Sequence, residues 1–111
     1  MKIWGIKNCN SVKRALDYLD HKGLKYGFVD YKKNPPSIET LKNWVEKSGI
    51  ESVFNHKSAT YKKLNLHNQS LTLEQKIKLM NENPTLIKRP VLEYDKVLQF
   101  GFSKEAYEAI F

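Results

Sequence analysis

Cysteine and arginine are the scarce residues of this 111-residue chain: Cys9 stands alone, and Arg14 and Arg89 are the two arginines. A single cysteine excludes an internal disulfide, a cysteine-based zinc cluster and an intramolecular Cys-x-x-Cys redox couple. Val12 stands where the second thiol of such a couple would fall. Any redox cycle must therefore take its resolving thiol from another molecule. No apolar run reaches the roughly 20 residues that span a bilayer, and Met1 to Asn10 lacks the apolar region of a signal peptide. These absences, with the low cysteine count, predict a cytoplasmic protein. There is no Gly-rich phosphate loop, and no Ser/His/Asp arrangement can be argued. His56 and His67 lack a metal-type spacing such as His-x-x-x-His, so no metal is expected.

What is present is ordinary for a soluble domain, 41% hydrophobic and 28% charged. The length suits one domain over 1–111, and a monomer is the default expectation. The formal charge is +7, but two of the nineteen basic residues are arginine and the rest are lysines spread from Lys2 to Lys104. The densest clusters, Lys32-Lys33, Lys62-Lys63 and Lys88-Arg89, are short. A nucleic-acid surface would gather Arg with interleaved aromatics, so solvated lysine faces are the expectation.

Periodicity orders the elements. Lys2 to Ile6 reads as a strand, and Val12, Ala15, Leu16 and Leu19 repeat at helical spacing with Gly23 as the stop. His21 falls in the last turn of that helix, exposed, where a cation suits the dipole. Leu24, Tyr26 and Phe28 alternate with polar or small neighbours and predict a second strand reaching Tyr31. Strand, helix and strand make a βαβ unit with a right-handed crossover.

After a Pro-containing connection, Ser37 caps a helix bearing Ile38, Leu41, Trp44 and Val45, ended by Gly49. Short helical turns are expected around Ser52–Asn55 and Thr60–Leu64. Thr72 and Gln75 form a capping box for a helix with Leu73, Ile77 and Met80 on one face, broken at Asn83-Pro84. Pro90 to Tyr94 and Val97 to Phe100 read as a hairpin turning at Asp95-Lys96, and Ser103 caps a last helix with Ala106, Tyr107 and Ile110 inward. Trp4 and Trp44 are expected in the core. The order predicts an α/β, thioredoxin-like fold: a four-stranded mixed sheet with flanking helices. Its sheet core comes from 1–31 and 88–111, with a helical insertion over 37–87. In that topology the loop holding Cys9 and the Arg89-Pro90 pair are neighbours.

Cys9 lies where the first strand hands over to the first helix, beside that helix's first free N–H groups, which favour thiolate over thiol. A free cysteine titrates near about 8.5 and is below about a tenth ionised at neutral pH. About 1–2 kcal/mol of stabilisation at the helix end lowers that value by roughly one unit. Lys7, Lys13 and Arg14 push the same way. The alternative is a small buried filler, against which the polar neighbours Lys7, Asn8 and Asn10 argue. Pro90 belongs at a strand start or a special turn, and a cis bond fits there. Arg89 offers a planar fork for oxyanions or carboxylates. Its alternative is a surface arginine beside a routine proline.

Three stretches carry a resemblance: Gly5 to Ala15 (Gly-Ile-Lys-Asn-Cys-Asn-Ser-Val-Lys-Arg-Ala), Asp30-Tyr31-Lys32-Lys33, and Asn83-Pro84 through Leu86-Ile87-Lys88-Arg89-Pro90-Val91. They resemble the ArsC/Spx/YffB family of arsenate-reductase-like proteins with the thioredoxin fold, nearest its YffB branch of glutathione-dependent thiol reductases. Gly101-Phe102 fits the same branch.

The resemblance implies that Cys9 is the nucleophilic thiolate and that Arg89 binds an oxyanion or a glutathione carboxylate. Pro90 would be the cis proline beside the bound thiol compound, with Lys7, Asn8 and Asn10 as flanking substrate contacts. Asn55-His56-Lys57 matches a polar family segment and makes Lys57 a further candidate. Glutathione would serve as co-substrate, with no tightly bound cofactor and with glutaredoxin as a further partner. Arsenate reductases carry three arginines around the oxyanion. Of these only Arg89 persists here, with Glu51 and Gly101 in the regions of the other two. True arsenate reduction therefore ranks below glutathione-linked thiol chemistry. The other alternative is an Spx-like module that binds RNA polymerase, although Val12 replaces the second thiol of that regulator's Cys-x-x-Cys pair.

Overall fold

A computed structural model describes residues 1–111. The elements are β1 (Lys2–Gly5), α1 (Asn10–His21), β2 (Gly27–Asp30), α2 (Ile38–Ser48), α3 (Ile50–Val53), α4 (Ala59–Lys63), α5 (Leu73–Glu82), β3 (Val91–Tyr94), β4 (Val97–Phe100) and α6 (Lys104–Ile110). Two 3-10 turns lie at Leu66–Asn68 and Pro84–Leu86. The chain divides into two units, one of Met1–Tyr31 with Arg89–Phe111 and one of Lys32–Lys88.

The first unit holds the sheet, in the order β2-β1-β3-β4. β1 and β2 run parallel, with Ile3 opposite Phe28, and α1 supplies the crossover between them. β3 is antiparallel to β1 and to β4, with Ile3 opposite Leu92 and Tyr94 opposite Val97. This mixed four-stranded sheet with flanking helices is the thioredoxin-like arrangement that the element order predicts. Ile3 and Leu92 share a face as register partners, and Ala15 and Leu19 of α1 and Tyr107 of α6 close over them. The apolar stripe of α1 is thus what sets this helix on the sheet. Gly23, at φ +70°, follows its end and donates its N–H to the Asp20 carbonyl at 3.0 Å.

Two expectations need correction here. β2 starts at Gly27 rather than Leu24, because the Leu24 N–H is taken by the Leu19 carbonyl at 3.0 Å. Leu24 and Tyr26 still pack on the core cluster, so their apolar alternation is real although no ladder forms there. Trp4 is half-buried rather than core, and its Nε1 donates to Glu93 Oε1 at 2.6 Å. On α6 Tyr107 is fully buried and the half-buried Ile110 packs against the same core cluster, as expected. The predicted cap on that helix is present, Ser103 Oγ accepting from the Ala106 N–H at 3.1 Å.

In the second unit, Ser37 Oγ accepts from the Thr40 N–H at 3.1 Å, and α2 buries Leu41 and Trp44. The capping box of α5 is complete, with Gln75 N–H to Thr72 Oγ1 at 3.2 Å and Thr72 N–H to Gln75 Oε1 at 2.8 Å. Ile77 and Met80 are buried, but Leu73 is 49% exposed. As the first residue of the helix it points back past the helix end, because Cβ atoms tilt toward the N-terminus. The irregular stretch contains α3 and α4, each beginning slightly before the expected turns. Ser58 Oγ caps α4 by accepting from the Tyr61 N–H at 3.1 Å. The Lys88 N–H bonds to the Val53 carbonyl at 2.8 Å and closes the unit. No helix of the chain is long and apolar enough to cross a membrane.

Candidate active site

Cys9 is the N-cap residue of α1, reached from β1 through a tight turn at Lys7-Asn8. Its backbone is extended (φ −112°, ψ 127°), and its carbonyl accepts the first helical bond from the Lys13 N–H at 3.0 Å. The turn can be this short because Gly5 lets α1 approach the end of β1: a Cβ there would meet Val12 Cγ2 at 2.7 Å. The sulfur is half-buried.

On the neighbouring strand, the Arg89-Pro90 peptide is cis and leads directly into β3. Pro90 is buried, and its carbonyl accepts from the Gly101 N–H at 2.9 Å, which ties it to the end of β4. The half-buried Arg89 guanidinium donates from Nη1 to the Tyr31 hydroxyl at 3.4 Å and lies close enough to Cys9 for its charge to act on the thiol. Tyr31 is fully buried, and its own N–H bonds to the Gly5 carbonyl at 3.1 Å. Cys9, Arg89, Pro90 and Tyr31 therefore all belong to the sheet-bearing unit.

Burial pushes the Cys9 thiol up, and four effects push it down. These are the N–H of Val12, a hydrogen bond from Arg89, the N–H of Ser11 and the positive charge of Arg89. The balance is downward, toward thiolate. The sulfur makes no complete capping hydrogen bond of its own, yet the open amides of the first helical turn face it closely enough to stabilise a negative charge. Burial lowers the Arg89 pKa, Tyr31 and Cys9 raise it more, and the guanidinium stays charged.

Lys7 and Asn8 stand exposed on the loop that leads to Cys9, and Asn10, also exposed, is the first residue of α1. Lys7, Lys13 and Arg14 are not among the leading influences on the sulfur, which are burial, Arg89 and the Val12 and Ser11 amides. All three are exposed, where solvent screens them, and Arg14 instead lies 5.4 Å from the Phe102 ring centroid. Lys57 belongs to the second unit, exposed on a turn in which its N–H bonds to Asn55 Oδ1 at 3.0 Å. Glu51 is in that unit also, its carbonyl accepting from Lys88 Nζ at 2.8 Å. Tyr31 is the residue that sequence reasoning left without a role. Its place directly after the alternating strand, within Asp30-Tyr31-Lys32-Lys33, was the available signal.

The ArsC family profile matches residues 4–110. A solved YffB protein is 36% identical, covering 97% of this chain and 96% of its own, with a TM-score of 0.90. The arsenate reductase of Vibrio cholerae is 26% identical, covering 100% and 98%, with a TM-score of 0.86. The global transcriptional regulator Spx of Listeria innocua is 28% identical over 88% of this chain and 76% of its own length. The profile match runs from β1 to α6 and takes in the Cys9 loop, Tyr31 and the Arg89-Pro90 corner, so the chain belongs to the ArsC family.

Proposed function

We propose that this protein is a cytoplasmic, glutathione-dependent thiol oxidoreductase that uses Cys9 as its single nucleophile. The observation that carries the reading is the pairing of a half-buried thiol, held toward thiolate at a helix start, with the Arg89 guanidinium beside it. In the first step the Cys9 thiolate attacks the glutathione sulfur of a mixed disulfide. A Cys9–glutathione disulfide forms and the substrate leaves as its thiolate. A second glutathione thiolate then attacks the glutathione sulfur on Cys9. It releases oxidised glutathione and restores the Cys9 thiolate, so two glutathione-derived sulfurs carry the two electrons of the cycle.

Arg89 binds the anionic part of the substrate, and Lys7, Asn8 and Asn10 offer polar contacts around the sulfur. Pro90 shapes the wall at the start of β3. Glutaredoxin is a candidate resolving partner. The scarcity of arginine supports ranking arsenate second as a substrate, since a multiply charged oxyanion is held best by several guanidinium groups.

An activity panel tests the reading. Wild-type protein should reduce glutathione mixed disulfides, and Cys9→Ser should lose all of that activity. Undiminished turnover by Cys9→Ser would overturn it. The similarity to Spx favours one further reading, a module that docks on RNA polymerase. Retention of polymerase by the immobilised protein, with no disulfide reduction, would support that reading in place of the first.

A further inference from the structure

We propose that Tyr31 is a positioning residue of this site: its buried hydroxyl accepts from Arg89 Nη1 and anchors the guanidinium on the side of the sheet that carries the Cys9 loop. The inference rests on the thiolate reading above and assigns Arg89 an orienting partner that the sequence motifs left without a task. Arginine has a long stem with several free torsions, so placing its fork at one sulfur costs rotamer entropy unless something anchors it. Tyr31 suits that anchoring for three reasons.

The first is rigidity. The ring is fully buried at the end of β2, and the Tyr31 N–H is bonded to the Gly5 carbonyl at 3.1 Å. Gly5 is the last residue of β1, four residues before Cys9, so one backbone bond fixes the ring against the strand that delivers the thiol. The second is economy of donors. The hydroxyl engages Nη1 at 3.4 Å, and a guanidinium has five N–H groups in all, which leaves donors for the sulfur. The third is charge. A carboxylate at this place would neutralise Arg89, whereas a phenol orients it and leaves its charge acting on Cys9. Burial keeps Tyr31 neutral by raising its pKa, with Arg89 pulling it down and Cys9 and Asp30 pushing it up, and the net direction is upward.

The test follows the ultraviolet absorbance of the Cys9 thiolate against pH in wild type, Tyr31→Phe, Arg89→Ala and the double variant. The fold of each is checked by near-ultraviolet circular dichroism. Tyr31→Phe should move the Cys9 midpoint upward by about half a unit, roughly a three-fold loss of thiolate relative to thiol. Adding Tyr31→Phe to Arg89→Ala should change nothing further, because the hydroxyl acts through the guanidinium. An unmoved midpoint in Tyr31→Phe, or an equal shift with and without Arg89, overturns the positioning role while leaving the thiolate reading intact. A wild-type midpoint at or above the free-thiol value removes both. Should Tyr31→Phe fail to fold, ring-carbon labelling of tyrosine in Arg89→Ala decides the matter. The Tyr31 titration should move upward when the guanidinium is gone, and an unchanged titration overturns the proposal.

Discussion

Gly5 and Val12 meet so closely that no side chain fits between them: a Cβ on Gly5 would lie 2.7 Å from Val12 Cγ2 and 3.3 Å from Cγ1. Val12 is fully buried and its β-branched side chain is stiff within a helix, so rotation does not relieve the clash. Gly5→Ala should therefore destabilise the protein by about 1–3 kcal/mol in a chemical denaturation experiment. The same change should also loosen the Cys9 loop, seen as faster hydrogen exchange at the Cys9 and Asn10 amides. A Gly5→Ala variant as stable as wild type would show that α1 can move off β1 at no cost.

Tyr107 buries its hydroxyl without a hydrogen-bond partner, against Tyr18, Phe102 and Phe111. An unsatisfied buried hydroxyl costs about 1–3 kcal/mol, so Tyr107→Phe should hold or raise stability at neutral pH, by about 1 kcal/mol. Burial pushes the Tyr107 pKa up, so its neutral form is favoured by folding. That contribution is complete below the unfolded phenol value of about 10 and lost as pH rises through the folded one. Wild type should thus fall behind Tyr107→Phe in alkaline thermal melts. Equal loss in both proteins would place the hydroxyl in contact with water.

The pH dependence of stability carries the opposite sign for Cys9. Its folded pKa is lowered, so its contribution is complete above the unfolded thiol value of about 8.5 and declines as pH falls through the folded value. Against Cys9→Ser, wild type should therefore gain stability between neutral and mildly alkaline pH. A difference that is flat across that window would contradict a thiolate held by the fold.

The α5 capping box makes a prediction away from the site. Thr72 is exposed, so its role in the structure is that of a cap, and Thr72→Ala should cost about 1 kcal/mol. Thr72→Ser should restore most of it. Urea midpoints of the three proteins check both statements.

Much of this arrangement was legible in the residues themselves. Period-two and period-3.6 patterns placed α1, α2, α5 and both hairpin strands, and cap residues Ser37, Thr72 and Ser103 marked helix starts that the hydrogen bonds reproduce. Leu24 and Tyr26 misled because an alternating apolar pair satisfies core packing without joining a ladder. Leu73 misled because helical periodicity takes no account of where a helix stops. At the site, the position of Cys9 at a helix start follows from local patterning, whereas its charge partners do not. Closeness in sequence suggests Lys7, Lys13 and Arg14, but the groups that act most on the sulfur are two backbone amides and Arg89, which lies 80 positions away along the chain. The Asp30-Tyr31-Lys32-Lys33 stretch marks Tyr31 but not its task, which depends on a contact made by chain pairing rather than by spacing.

The central claim is that the fold holds the Cys9 sulfur as a thiolate with the help of Arg89. Titration of the Cys9 thiol in wild type and Arg89→Ala tests it most directly, by the rate of iodoacetamide alkylation against pH. The account predicts a wild-type midpoint below about 8.5 that moves upward when Arg89 is removed. A wild-type midpoint at or above the free-thiol value, or one indifferent to the loss of Arg89, would contradict it.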